Sequence, residues 1–289
     1  MQIQGCGTAI ITPFRGGAVD LEALGHLVEA QIAGGVDFLV PCGTTGESPT
    51  LTDQERVAVI ERTVDTAAGR VPVVAGTGTN DTQHSVDMTR AAQSAGADAC
   101  LAVAPYYNKP TQEGLYRHFR AMIDDGGLPA MLYHIPGRSG IGIDVATVAR
   151  TAAAGGVIGL KETEHVGRIS ALRDACDVAI FSGDDGLTFP MICLGAVGVV
   201  SVTSNVVPAQ VSAMVRHALA GDVAAARKAH EELGALFGAL FCETNPIPVK
   251  AAAHLLGLVP EPSVRLPLTP ATEATTERLR KLLLSEVRA

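Results

Sequence analysis

Several signatures that announce common chemistries are missing from this sequence. Its six cysteines, Cys6, Cys42, Cys100, Cys176, Cys193 and Cys242, are scattered and form no C-x-x-C pair. With no H-E-x-x-H and no Cys/His ligand spacing, no metal site is expected, and buried, reduced thiols are favoured over disulfides. There is no G-x-S-x-G elbow, and Gly76-Thr77-Gly78 lacks the third glycine of a dinucleotide fingerprint. Lys and Arg gather nowhere into a cluster, so no nucleic-acid surface is expected. No apolar run reaches about 18 residues, which argues against a membrane span. The start, MQIQGCGTAI, lacks the basic residues and long apolar core of a secretion signal, so a cytoplasmic location is expected.

What is present is apolar material in quantity. Of 289 residues, 47% are hydrophobic and 18% charged, with a formal net charge of -8. An anionic substrate must therefore be held by local positive charge. Short apolar runs recur: GCGTAIITPF, GVDFLVPCG, VPVVAGTG, ACLAVAPYY, LPAMLYHIP, GVIGLKET, VAIFSGDD and GVVSVTSN. Unbroken runs of this length suit strands buried on both faces. Helical patterns alternate with them. Leu21, Leu24, Leu27, Val28 and Ile32 share one helical face, Thr52 and Glu55 have capping-box spacing, and Pro110-Thr111 opens the Leu115, Phe119, Met122 repeat. Eight such units predict an α/β fold, a parallel (β/α)8 TIM barrel, with a doubly wound open sheet as the alternative. After Asn205 only helical segments follow. The expected division is a catalytic barrel over 1–223 and a C-terminal helical extension over 224–289.

Active sites of such barrels lie at the C-terminal strand ends. Lys161 falls inside the apolar run Val157-Ile158-Gly159-Leu160-Lys161-Glu162. A strand lysine needs a purpose or a partner. One reading is an ion pair, although Glu162, as the adjacent strand residue, points to the opposite face. The other is Schiff-base chemistry, since desolvation disfavours an ammonium and a neutral amine attacks ketones. The other lysines fall in charged helices (Lys228, Lys281), a loop (Lys109) and a helix after a proline pair (Lys250). Of only four tyrosines, Tyr106, Tyr107 and Tyr133 lie at predicted strand ends. A phenol there can pass protons, although burial alone also explains an aromatic. Arg138 either binds a carboxylate through a bidentate fork or is simply solvated. The turn Gly43-Thr44-Thr45-Gly46-Glu47-Ser48 is either a plain turn or a carboxylate cradle. Asp184 and Asp185 after the seventh run are expected at a helix N-terminus rather than on a cation.

Taken in order, GTAIITPF at 7–14, GTTGES at 43–48, AGTGTN at 75–80, PYYNKPTQEGLYRHF at 105–119, LYHIPGRSG at 132–140, GLKET at 159–163, SGDD at 182–185, SVTSN at 201–205, NPIPVK at 245–250 and RLPLTP at 265–270 resemble the dihydrodipicolinate synthase family, within the N-acetylneuraminate lyase superfamily of pyruvate-dependent aldolases. The resemblance runs nearly end to end. It implies that Lys161 forms the imine with pyruvate, that Tyr133 is the central proton donor and acceptor, and that Thr44 and Tyr107 complete a proton relay, Tyr107 reaching into a neighbouring subunit's site. Thr45 would hold the pyruvate carboxylate, Gly183 and Val200 would shape the keto-acid pocket, and Arg138 would receive the second substrate, L-aspartate 4-semialdehyde. The implied product is 4-hydroxy-tetrahydrodipicolinate, on the route to diaminopimelate and lysine, with no metal or organic cofactor.

A lyase for N-acetylneuraminate or a 2-keto-3-deoxy sugar acid is the alternative within the superfamily. Arg138 and the Tyr106-Tyr107-Asn108 run favour the synthase. A catalytically silent keto-acid binder is the alternative of another class, opposed by Lys161, Tyr133, Thr44 and Arg138 occurring together. The family implies a homotetramer built from two dimers, and the Tyr107 role needs at least a dimer. Lysine-sensitive relatives bind lysine at positions matching Ser48, Pro49, Asp53, Arg56, Asn80, His84 and Tyr106. Arg56 and His84 depart from the His and acidic residue often found there, which predicts weak or absent feedback by a cation. His134, often Asn in the family, is a further departure.

Overall fold

The computed structural model describes residues 2–286. Eight parallel strands form its central sheet: β1 Gly5–Ala9, β2 Phe38–Val40, β3 Val74–Gly76, β4 Ala99–Val103, β5 Ala130–His134, β6 Val157–Glu162, β7 Ile180–Ser182 and β8 Gly198–Ser201. They pair in the order β2-β1-β8-β7-β6-β5-β4-β3, and a parallel bridge between Leu39 and Val73 spans the remaining seam. This is the TIM barrel expected from the alternation, and an open doubly wound sheet is excluded. Between and after the strands run α1 Leu21–Ala33, α2 Asp53–Ala67, α3 Thr82–Ser94, α4 Gln112–Asp124, α5 Val145–Ala153, α6 Gly167–Ala175, α7 Thr188–Cys193 and α8 Pro208–Leu219.

Strand alternation divides the apolar residues into two cores. Phe38, Val40, Val74, Leu101, Met131, Tyr133, Phe181 and Val200 point into the barrel. Their strand neighbours Leu39, Ala75, Cys100, Leu132, Leu160 and Val199 point outward, against Leu27, Ile60, Phe119 and Met122 of the helices. The interior is filled, not hollow. Phe38 and Phe181 meet edge to face with ring centroids 5.5 Å apart. Phe38 has room because Gly7 lies opposite, where a Cβ would come within 2.1 Å of its ring.

The helix starts follow the local chemistry. Thr52 and Glu55 form the capping box at α2, and Thr111 caps α4 by accepting from the Gly114 N–H. Beyond the barrel lie α9 Val223–Leu240, α10 Ile247–Leu255 and α11 Glu273–Glu286, with α9 packed chiefly on α8. No helix among the described residues is long and apolar enough to cross a membrane. All six cysteines are free, but only Cys6, Cys42 and Cys100 are buried; Cys193 and Cys242 are exposed, contrary to the expectation of buried thiols.

Candidate active site

Tyr133 and Lys161 are register partners on β5 and β6, at the end of the barrel where the strands finish. Both are 4% exposed, and the Lys161 Nζ lies 4.3 Å from the centre of the Tyr133 ring. Their strand neighbours His134 and Glu162 are also paired, but on the outer face of the sheet. There the Glu162 carboxylate meets His134 Nδ1 at 2.8 Å and accepts from Arg168 Nε at 2.7 Å. Glu162 is therefore not the partner of Lys161, as strand alternation requires. Lys161 forms no ion pair among the described residues. Burial works against the Glu162 anion, but the hydrogen bond and charge of His134, the Glu164 N–H and the Arg168 guanidinium outweigh it and hold its pKa below the ordinary carboxylate value. His134, Glu162 and Glu164 cluster closely enough to suggest a cation site. The positive charge that pairs with Glu162 there is already Arg168.

Gly183, just past β7, makes room for the lysine. A Cβ at that position would fall 2.4 Å from Thr163 Cγ2 and 2.8 Å from Lys161 Cε. The amine opens into a cleft of about 590 Å3 lined by Thr44, Thr45, Tyr133, Arg138, Gly183 and Asn245, among others. That is a size suited to small substrates. Val200 lies deeper, in the barrel interior, and Val202 forms the cleft wall at the end of β8. Arg138 is exposed, on the helical turn Pro136–Ser139, and its Nη2 donates to the Asn245 carbonyl at 3.2 Å. Thr45 is buried, and its hydroxyl accepts from Asn245 Nδ2 at 2.9 Å.

Thr44, Tyr133 and Arg138 also line a second cavity, of about 330 Å3, so the two cavities adjoin. Ser48, Pro49, Asp53, Arg56, Asn80, His84 and Tyr106 all line this second cavity. Arg56 is buried, donating from Nη2 to the Gly76 carbonyl at 3.0 Å, and its Nε has no hydrogen-bond partner among the described residues. The Asp53 carboxylate, the acidic group among these residues, is already engaged by His84 Nε2 at 3.0 Å. Tyr107 lines neither cavity. It stands 88% exposed on left-handed backbone with φ 72°.

Three residues at or beside the site were given no role, or another one, from the sequence. Asp184 and Asp185 stand, as expected, at the start of a short helical turn, Asp185–Leu187. Asp184 caps it, accepting from the Gly186 N–H at 2.8 Å. Asp185 instead turns inward and accepts from the Ser201 hydroxyl at 2.5 Å and from the Val202 and Thr203 N–H groups at 3.0 Å each. Burial drives its pKa up against those bonds. Asn245 joins the Thr45 turn to Arg138. Lys250 lies in the helix expected after the proline pair, and there it is fully buried and paired with Glu47 at 2.6 Å. Lys161 is thus not the one buried lysine, although it is the one that opens on the cleft. The apolar neighbours of Lys250, in Ile247-Pro248-Val249-Lys250-Ala251-Ala252-Ala253, carried that signal.

Comparison with known proteins identifies the family. The profile of the dihydrodipicolinate synthetase family matches residues 2–286. The 4-hydroxy-tetrahydrodipicolinate synthase of Nitratidesulfovibrio vulgaris (strain Miyazaki F) is 47% identical over 287 residues, covering 98% of each chain. That of Geotalea uraniireducens is 48% identical over 279 residues, covering 96% of each. The crystal structure of dihydrodipicolinate synthase from Aquifex aeolicus superposes with a TM-score of 0.96 at 46% identity, covering 98% of each chain. The chain belongs to the dihydrodipicolinate synthetase family.

Proposed function

We propose that this chain condenses pyruvate with L-aspartate 4-semialdehyde to give 4-hydroxy-tetrahydrodipicolinate, through an imine on Lys161. The observation that carries the reading is the buried pair of Lys161 and Tyr133, facing one another across two strands in a cleft with Arg138 at its mouth. The neutral Lys161 amine attacks the ketone of pyruvate and water leaves, its oxygen protonated from Tyr133. The imine draws electrons from the methyl carbon, whose proton passes to the Tyr133 oxygen as the enamine forms. That carbon attacks the aldehyde of the second substrate, whose oxygen takes the proton back from Tyr133 and whose carboxylate is taken by the Arg138 guanidinium. The substrate's own amine then closes the ring by adding to the imine carbon and expels Lys161. Thr45 receives the pyruvate carboxylate, Gly183 leaves space for the imine, and Val200 closes the interior beneath the site. The imine itself is the electron sink, so the scheme uses no metal or organic cofactor.

Thr44 joins Tyr133 to the adjoining cavity, and a second copy supplies Tyr107 to complete the relay. The exposed phenol on constrained backbone supports that role. At least a dimer follows from it, and a dimer of dimers is the assembly we assign. The free cysteines suit a reducing cytoplasm. Residues 1–223 serve as the catalytic barrel and 224–289 as its helical extension. Ser48, Pro49, Asp53, Arg56, Asn80, His84 and Tyr106 form a regulatory cavity, but a buried Arg56 and an Asp53 already held by His84 disfavour the ammonium of lysine. Micromolar L-lysine should leave the rate unchanged; strong inhibition there would refute this part of the reading.

A substrate-pair assay tests the function. Turnover is expected with pyruvate and aspartate semialdehyde, and none in the cleavage of N-acetylneuraminate or 2-keto-3-deoxy sugar acids. Cleavage of either sugar acid, with no condensation, would assign the chain to the lyases instead.

A further inference from the structure

Glu47 is one of the most constrained residues beside the site. It is 2% exposed and ends the turn that carries Thr44 and Thr45. Its backbone is left-handed, φ 55° and ψ 34°, a region non-glycine residues seldom occupy. Both carboxylate oxygens are taken by the C-terminal extension. Oε1 accepts from Lys250 Nζ at 2.6 Å, and Oε2 from the Arg265 backbone N–H at 2.9 Å. The Lys250 ammonium lies 3.9 Å from the centre of the Phe14 ring, and the Arg265 guanidinium packs on the same ring at 4.6 Å. Arg265 also donates to both oxygens of Glu55, at 2.6 and 2.7 Å, and to the Thr50 carbonyl at 2.9 Å. A third residue of the extension, Asn245, donates to the Thr45 hydroxyl.

A buried ion pair is a costly way to fill space, since an apolar pair of the same volume is often as stable. What it adds is direction: the carboxylate must point at the ammonium, and the turn that bears it is fixed accordingly. We propose that Lys250 is a positioning residue for pyruvate, acting through Glu47 to hold the 43–48 turn in the form that presents Thr45 to the pyruvate carboxylate. The inference rests on the functional reading above. Lys250 touches no substrate; its effect passes through Glu47 and the turn. Burial lowers the Lys250 pKa to about 8 despite the charge of Glu47, with Arg265 adding to the decrease. The charged groups facing it are Glu47 and Arg265, the latter held by Glu55.

The test uses the full chain and three forms: the parent, Lys250→Met, and the Lys250→Met/Glu47→Gln double variant. Pyruvate is titrated by borohydride trapping and intact mass, which reads imine formation without turnover. Half-saturation by the aldehyde and Tm are measured alongside. Lys250→Met should raise half-saturating pyruvate tenfold or more and leave that for the aldehyde within twofold. The double variant, which removes the unpaired buried charge, should recover most of the lost Tm but keep the weakened pyruvate titration. Recovery of pyruvate affinity together with Tm would make the pair a packing element and overturn the proposal. So would an unchanged pyruvate titration in Lys250→Met, or failure of both variants to fold. A parent that forms no adduct at any pyruvate concentration would remove the functional reading, and this proposal with it.

Discussion

At Arg138 the chemistry asked of one side chain can be separated from everything around it. The guanidinium is exposed at the cleft mouth and tied to the Asn245 carbonyl by one bond. Losing a charge-assisted contact costs about 1.5–3 kcal/mol, so Arg138→Ala should raise half-saturation by aspartate semialdehyde about 10- to 100-fold. Pyruvate trapping should be unaffected, and a parallel loss of both would place Arg138 elsewhere in the mechanism. Tyr133→Phe keeps the ring over Lys161 and removes the hydroxyl. Steady-state rates should fall by about 10²–10⁴ with Tm near the parent. Lys161 was legible because a charged residue in an apolar strand stands out within six letters of sequence. Asn245 was not, and of Lys250 only the burial was, because their partners Thr45 and Glu47 lie 200 and 203 residues away, and only the folded chain brings them together.

Elements place these groups more than local preference does. Alternation along β5 and β6 sends Tyr133 and Lys161 inward and His134 and Glu162 outward, so the period of two that defines a strand also separates the groups facing the cleft from those on the outer face. That much follows from sequence, as do the Thr52–Glu55 capping box and the four helical segments after Asn205. The loop after β8 was not legible, because the helix start read at Asp184 and Asp185, though present, says nothing of the further partners of Asp185. Asp185 holds Ser201, Val202 and Thr203, and so sets the Val202 wall of the cleft. Asp185→Ala would strand those donors at a cost of about 1–3 kcal/mol, lowering Tm by several degrees in thermal denaturation. An unchanged Tm would mean the loop is held by packing alone.

For the whole molecule, the barrel and its extension are joined by charge as well as by apolar contact. Arg265 on the extension grips Glu55 on α2 with both arms, and this bond chiefly, against burial, draws the Glu55 pKa down from 4.5 to about 2. A carboxyl with a lowered folded pKa adds stability that is complete above its unfolded value and lost as pH falls toward the folded one. The contribution should therefore fade between pH 4.5 and about 2. In a series of melting curves, Arg265→Met should flatten the dependence of Tm on pH across that window. An unaltered slope would dissociate Glu55 from acid stability. Function depends more narrowly on one buried amine, Lys161, forming a covalent bond with pyruvate under the proposed scheme. Borohydride reduction in the presence of pyruvate, followed by peptide mass mapping, tests it most directly. A 1-carboxyethyl group on Lys161 is the predicted result; a modified residue elsewhere, or an unmodified chain at saturating pyruvate, would contradict it.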